Sequence, residues 1–166
     1  MPVGSIWFDA PPEMDYSSRA ILAIRSTDPQ AAMAMKTVLL VDDDNVFLLT
    51  IGVRLKSMGY TVYAAKDAVN AISAVRKNNP DVIVLDVSLP AGDGFMVAHR
   101  LQNLISTAAT PIIFVTASEK PGLRERATKL GAVGFLNKPF DATTLADAIE
   151  SALSPGENWR PQANSV

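Results

Sequence analysis

A chain of 166 residues with 48% apolar composition has the size and balance of one soluble globular domain with some length to spare. Its formal net charge of −2 and lack of a basic stripe argue against nucleic-acid binding by this chain, and the absence of cysteine excludes disulfides, thiolate catalysis and cysteine metal sites. His99 is the single histidine, so a multi-histidine zinc site is excluded as well; oxygen ligands remain, and with neither an apolar run of about 20 residues nor a signal-peptide pattern a cytoplasmic protein is expected.

Residues 1–35 carry Pro2, Pro11, Pro12 and Pro29, scattered Ser and Asp, and a single apolar cluster of Ile21, Leu22 and Ile24. This composition predicts a flexible N-terminal extension, with Met33 and Met35 as alternative starts just ahead of the folded part. From Thr37 the pattern becomes regular. Residues 38–41 are a short apolar run suited to a parallel strand buried on both faces, and they stop at three consecutive carboxylates, Asp42, Asp43 and Asp44. Residues 45–58 place Phe47, Ile51, Leu55 and Met58 at helical spacing, ending at Gly59. A second strand is expected over 60–64, then a helix capped by Asp67 with Ala71, Ile72 and Val75 inward, broken at Asn78-Asn79-Pro80. The third strand, 81–86, again ends in a carboxylate, Asp86. Pro90 to Gly94 turn the chain into a helix carrying Phe95, Ala98 and Leu101. A fourth strand over 112–115 is closed by Thr116, a helix follows over 119–130, the fifth strand is 133–136, and Lys138-Pro139-Phe140 leads to a last helix over 141–153. The remainder, 154–166, is a short polar tail.

Five strands alternating with five helices predict an α/β fold: a five-stranded, doubly wound parallel sheet with helices on both faces, in which ligands lie beyond the carboxyl ends of the strands. Asp42 and Asp43 end the first strand, Asp86 the third and Thr116 the fourth, while Lys138 follows the fifth, so all meet on one sheet edge. Two unit charges about 5 Å apart at an effective dielectric near 20 repel by roughly 3 kcal/mol, so the acids call for a cation, a raised pKa, or both. Asp43 and Asp86 can each give an oxygen to a hard ion such as Mg²⁺, Asp42 can hold one of its waters, and the carbonyl of Ser88 can complete the protein's share. The alternative is that the acids only cap the helix that follows; one cap needs one Asp, and Asp44 suits that role. Lys138 and Thr116 beside a carboxylate form a cradle for phosphoryl oxygens, and an aspartate can accept a phosphoryl group as an acyl phosphate. Taken singly, Lys138 is also readable as a surface lysine and Thr116 as a turn former.

VDDD at 41–44, DVIVLDVSLP at 81–90, GDGF at 92–95, FVTAS at 114–118 and FLNKPF at 135–140 together resemble the receiver domains of bacterial response regulators, over about 36–153. The resemblance implies the flavodoxin-like strand order 2-1-3-4-5. It implies Asp86 as phosphoacceptor, Asp42 and Asp43 as the metal-binding acid pair, Thr116 as the switch hydroxyl, Lys138 as the phosphate-binding lysine and Phe135 as the aromatic switch position, without a tyrosine hydroxyl. A cis Lys138-Pro139 bond is implied too. So are Mg²⁺, with Mn²⁺ as a substitute, and a phosphohistidine donor on a histidine kinase or histidine phosphotransfer protein. The expected response is that Thr116 and Lys138 move toward the phosphoryl group, Phe135 turns inward, and the face of the fourth helix, fifth strand and fifth helix changes for a downstream protein. Ser88 and Ser118 hold the positions that tune water access to the acyl phosphate, and both are small and neutral. His99 is expected to be solvated.

One feature departs from the usual pattern: the first helix carries a second apolar set, Val46, Leu49 and Val53 with Leu48, where solvated residues are the norm. Cover by the 21–24 cluster, a homodimer contact, or docking of the phosphodonor each answer it. The leading reading is a stand-alone signalling receiver, phosphoacceptor rather than enzyme, with no output domain and no direct contact with nucleic acid or membrane. A haloacid-dehalogenase-type aspartyl-phosphate hydrolase is the rival, disfavoured because its second acid falls at Ser88, and a phosphorylation-independent interaction domain is a third.

Overall fold

Val38 to Val41 and Val82 to Leu85 are apolar at every position because both faces of their strands are covered, and each of these residues is at most 1% exposed. The computed structural model describes residues 36–90, 92–104 and 107–154; the expectations for 1–35 and for the tail from 155 onward lie outside the described residues. In chain order the elements are β1 (Thr37–Val41), α1 (Asn45–Ser57), β2 (Thr61–Ala65), α2 (Ala68–Asn78), β3 (Val82–Asp86), β4 (Ser88–Leu89), β5 (Gly92–Asp93), α3 (Gly94–Gln102), β6 (Ile112–Thr116), α4 (Leu123–Lys129), β7 (Gly134–Asn137) and α5 (Ala142–Leu153).

The main sheet has five strands in the order β2-β1-β3-β6-β7, all parallel. With the short antiparallel β4–β5 pair set aside, this is the expected order. It reverses at β1 and β3, so the crevice of a doubly wound sheet opens beyond Val41 and Asp86. Alternation along the strands divides the core in two. Val38, Leu40, Val84, Ile113 and Val115 face α1 and α5 through Leu55, Leu145 and Ile149, whereas Leu39, Val41, Leu85 and Phe114 face the opposite layer through Val75, Phe95, Leu101 and Ala127.

Aspartates start four of the helices: the side chains of Asp44, Asp67, Asp93 and Asp141 accept backbone N–H groups at the heads of α1, α2, α3 and α5. The fourth helix is shorter than expected. It spans Leu123–Lys129 rather than 119–130, because Gly122, at φ 85°, makes the Pro121-Gly122 turn a boundary instead of a first helical turn. In α1 the buried stripe is Leu48, Ile51, Gly52 and Leu55, so Leu48 belongs to the core and not to the second apolar set. Gly52 lets the helix settle on Leu40 and Val62, which a Cβ there would just touch at about 4 Å. Among the described residues no helix is long and apolar enough to cross a membrane.

Candidate phosphoacceptor site at the carboxyl edge

Pairing of β1 with β3 sets Val41 opposite Leu85, so the residues that follow, Asp42 and Asp86, emerge side by side at the sheet edge. One carboxylate oxygen from each of Asp42, Asp43 and Asp86 lies within 4.8 Å of the others. Asp42 is 1% and Asp86 6% exposed, while Asp43 faces solvent. Asp44 stands apart from the cluster and caps α1, its Oδ1 accepting from the N–H groups of Val46 and Phe47. Backbone donors fix the two buried acids: Asp44 N–H reaches Asp42 Oδ1 at 2.9 Å, and Ser88 N–H reaches Asp86 Oδ1 at 2.8 Å.

Lys138, just past β7, points its ammonium at the same place. It closes an ion pair with Asp42 Oδ2 and stands 3.3 Å from Asp86 Oδ2. Burial pushes the Asp42 carboxyl above its ordinary pKa, and the hydrogen bonds from Lys138 and the Asp44 amide oppose this without cancelling it. For Lys138 burial acts to lower the pKa, but the hydrogen bond to Asp42 and the charges of Asp86 and Asp42 outweigh it and hold the ammonium above its ordinary value. The lysine backbone is anchored as well: its N–H donates to the Thr116 carbonyl at 2.8 Å, and Lys138-Pro139 is cis, as expected.

Thr116 is fully buried at the end of β6, its Oγ1 accepting from Ser118 N–H at 3.0 Å. Ser118 is half-buried, and Ser88, at the start of β4, is exposed. His99 is exposed on α3, with Asn103 Nδ2 3.3 Å from its Nδ1. Phe135 is 5% exposed on β7, with the Arg124 guanidinium 5.2 Å from its ring centroid. Val46, Leu49 and Val53 form the exposed stripe of α1, at 73%, 69% and 56% exposure.

Two relationships escaped the sequence. Phe47, read as core, lies half-buried beside the site, with the Lys138 ammonium 4.1 Å above its ring and Phe140 edge-on at 5.7 Å. This cation–π contact adds to the ion pairs that hold the lysine head. In addition, Arg126 of α4 reaches Asp93 Oδ2 at 2.6 Å, tying that helix to the loop after Asp86. Neither pair leaves a local signal, since its members lie in different elements.

A doubly wound parallel sheet that gathers carboxylates and a lysine beyond β1, β3 and β7 defines the class, an α/β fold with its polar site at the carboxyl edge. The chain belongs to the response regulator receiver domain family, whose pattern matches residues 38–150. It is 32% identical to the transcriptional regulatory protein PdtaR of Mycobacterium tuberculosis over 130 residues, 78% of this chain and 62% of that one. It is 28% identical to Protein PilH of Pseudomonas aeruginosa over 120 residues, 72% of this chain and 99% of PilH. Among solved structures, the chemotaxis response regulator CheY4 of Vibrio cholerae superposes with a TM-score of 0.67 at 31% identity, covering 72% of this chain and 99% of CheY4. The non-phosphorylated HemR receiver domain of Leptospira biflexa gives 0.66 at 33% identity, covering 77% of this chain and 99% of that one. The chain thus spans 99% of PilH and of CheY4 and less than two thirds of PdtaR. This membership does not favour the hydrolase reading.

Proposed function

We propose that the chain is a phosphoacceptor: Asp86 takes a phosphoryl group from a phosphohistidine on a histidine kinase or histidine phosphotransfer protein and displays it to a downstream protein. The observation that carries this reading is the meeting of Asp42, Asp43 and Asp86 with Lys138 at one sheet edge. A carboxylate oxygen of Asp86 attacks phosphorus, the P–N bond to the donor imidazole breaks, and the imidazole leaves with its electron pair, taking up a proton. Lys138, already 3.3 Å from Asp86, holds the negative charge of the arriving phosphoryl oxygens, and the Thr116 hydroxyl turns from Ser118 to supply a second donor.

The donor set fits a hard divalent cation: three carboxylates within 4.8 Å and no nitrogen or sulfur ligand among them. Asp42, Asp43, Asp86 and the Ser88 carbonyl would hold Mg²⁺, or Mn²⁺ in its place, which when bound neutralises charge on the phosphoryl oxygens. Hydrolysis of the acyl phosphate needs water to pass Ser88 and Ser118, and neither side chain is large enough to block it. The chain promotes only its own phosphorylation and dephosphorylation. The conformational change begins at Thr116, whose register partner Asn137 lies two residues beyond Phe135 on β7, and reaches the α4–β7–α5 face from there. The exposed Val46, Leu49 and Val53, just past the acid cluster, suit docking of the phosphodonor's helices in the cytoplasm.

The test is Asp86→Asn, incubated with labelled phosphodonor and Mg²⁺. Wild-type protein should carry acid-stable, base-labile label and the variant none; undiminished acid-stable label in the variant overturns the assignment.

A further inference from the structure

Between α3 and α4, on the side of the sheet away from α1, a groove of about 370 Å³ takes its lining from Phe95, Met96, His99, Arg100, Arg126 and Lys129. Its chemistry is two-fold. A Met96 that is 55% exposed and the half-buried Leu130 offer apolar surface over the buried Phe95 ring, and the walls carry Arg100, Arg126 and Lys129. Two cross-helix bonds bracket it: Arg126 to Asp93 at 2.6 Å at one end, and Gln102 Nε2 to the Leu130 carbonyl at 2.6 Å at the other.

The cations are not equally engaged. Arg126 is held twice, by Asp93 and by the Phe95 ring, whose centroid lies 4.3 Å from the guanidinium carbon. Arg100 and Lys129 make no ion pair among the described residues. Glu125, one turn before Lys129 on α4, is exposed and stays outside the lining, which leaves Asp93 as the carboxylate that answers this wall. A concave site with an adaptable methionine at its lip and uncompensated cations on both sides selects for an anionic partner that also brings an apolar group.

We propose that the α3–α4 groove docks an acidic protein segment, one apolar side chain entering over Met96 and Leu130 and flanking carboxylates pairing with Arg100 and Lys129. A short, partly apolar groove on a chain of net charge −2 suits a peptide rather than a nucleic-acid backbone. Arg126 makes the site more than a landing place. Its partner Asp93 caps α3, and Gly94 N–H of the same turn donates to the Val87 carbonyl at 2.9 Å, directly after Asp86. A carboxylate that draws Arg126 away from Asp93 loosens the loop following Asp86, so occupancy of the groove and phosphorylation of Asp86 bias one another. That coupling rests on Asp86 as the phosphoacceptor; the docking itself does not.

The probe is a fluorescent peptide of glutamates around a single leucine, titrated into the full chain beside a peptide with glutamine at every glutamate. The acidic peptide should bind and shift the NMR signals of Met96, His99 and Lys129, and the glutamine peptide should not. Arg100→Glu combined with Lys129→Glu should weaken binding by about tenfold or more while thermal unfolding stays put, and Met96→Glu should do the same without touching a cation. No binding, equal binding by the charge-reversed protein, or shifts confined to α1 or the α4–β7–α5 face overturns the docking proposal. For the coupling, saturating peptide should change the labelling rate of Asp86 by acetyl phosphate; an unchanged rate overturns it. Absence of labelling without peptide would count against the phosphoacceptor assignment, while the binding measurement would still judge the groove.

Discussion

Lys138 stands 3.3 Å from Asp86 while paired to Asp42, so one ammonium serves two buried carboxylates that lie 44 residues apart and end neighbouring strands. Removing it leaves Asp42, at 1% exposure, with only the Asp44 amide among the described residues to stabilise its charge. Breaking a buried pair from one side costs about 3 kcal/mol. Lys138→Ala should therefore unfold at lower urea, and millimolar Mg²⁺ should restore more stability to the variant than it adds to wild type, because the lysine no longer competes for Asp42. Chemical denaturation with and without Mg²⁺ measures both; a variant as stable as wild type would remove Lys138 as the counter-ion of Asp42.

The division of work proposed for the three consecutive acids is testable. Asp44 spends its carboxylate on the Val46 and Phe47 amides, so Asp44→Ala should cost about 1 kcal/mol and keep the Mg²⁺-induced change in stability. Asp43 is exposed and caps nothing, so Asp43→Ala should leave stability close to wild type and abolish the Mg²⁺ response. The reverse pattern in a thermal-shift series would exchange their roles.

Gly94 is where the site constrains the backbone. A Cβ added there would lie 2.1 Å from the Asp86 carbonyl oxygen and 2.9 Å from Val87 Cα, both main-chain atoms that cannot swing aside. Gly94→Ala should destabilise the protein by about 2 kcal/mol or more and slow phosphorylation of Asp86 by displacing its loop. Denaturant midpoints and labelling rates check this, and a fully active, wild-type-stable variant would show that the loop yields freely.

The sheet was legible because its strands are short apolar runs closed by Asp, Thr or Lys, and because the alternation with helices admits few topologies. The acids, Thr116 and Lys138 could be brought together on paper, since each ends or follows a strand. The inner face of α1 was harder: with glycine at 52 the repeat Leu48, Ile51, Gly52, Leu55 loses an apolar member, and Phe47 takes its place in a helical count. Phe47 instead sits at the boundary, under Lys138, a placement set by Phe140 from the far end of the chain. The start of α4 was overrun because Pro121 is tolerated in a first helical turn, and only the left-handed Gly122 reveals the break. The two-residue strands β4 and β5 are too short to show a period, and the Asp93–Arg126 tie depends on how two helices lie side by side.

Tyr60 presents a different kind of strain, at the other end of the sheet. It is 4% exposed, and its hydroxyl has no hydrogen-bond partner among the described residues. Burial, reinforced by the charges of Glu150 and Asp147, raises its pKa from 10.0 to about 12. Between those values the folded protein keeps a proton that the unfolded chain has released. Its contribution is therefore whole below pH 10 and is lost as pH rises toward about 12. Tyr60→Phe removes both the unpaired hydroxyl and the titration. At neutral pH the variant should match or exceed wild-type stability within about 1 kcal/mol, since an unsatisfied polar atom is replaced by none. Subtracting its stability–pH curve from that of wild type isolates this one group. A difference that stays flat from pH 9 to 12 would mean that the hydroxyl finds a partner or water in solution, and a large loss of stability at pH 7 would mean that it already has one.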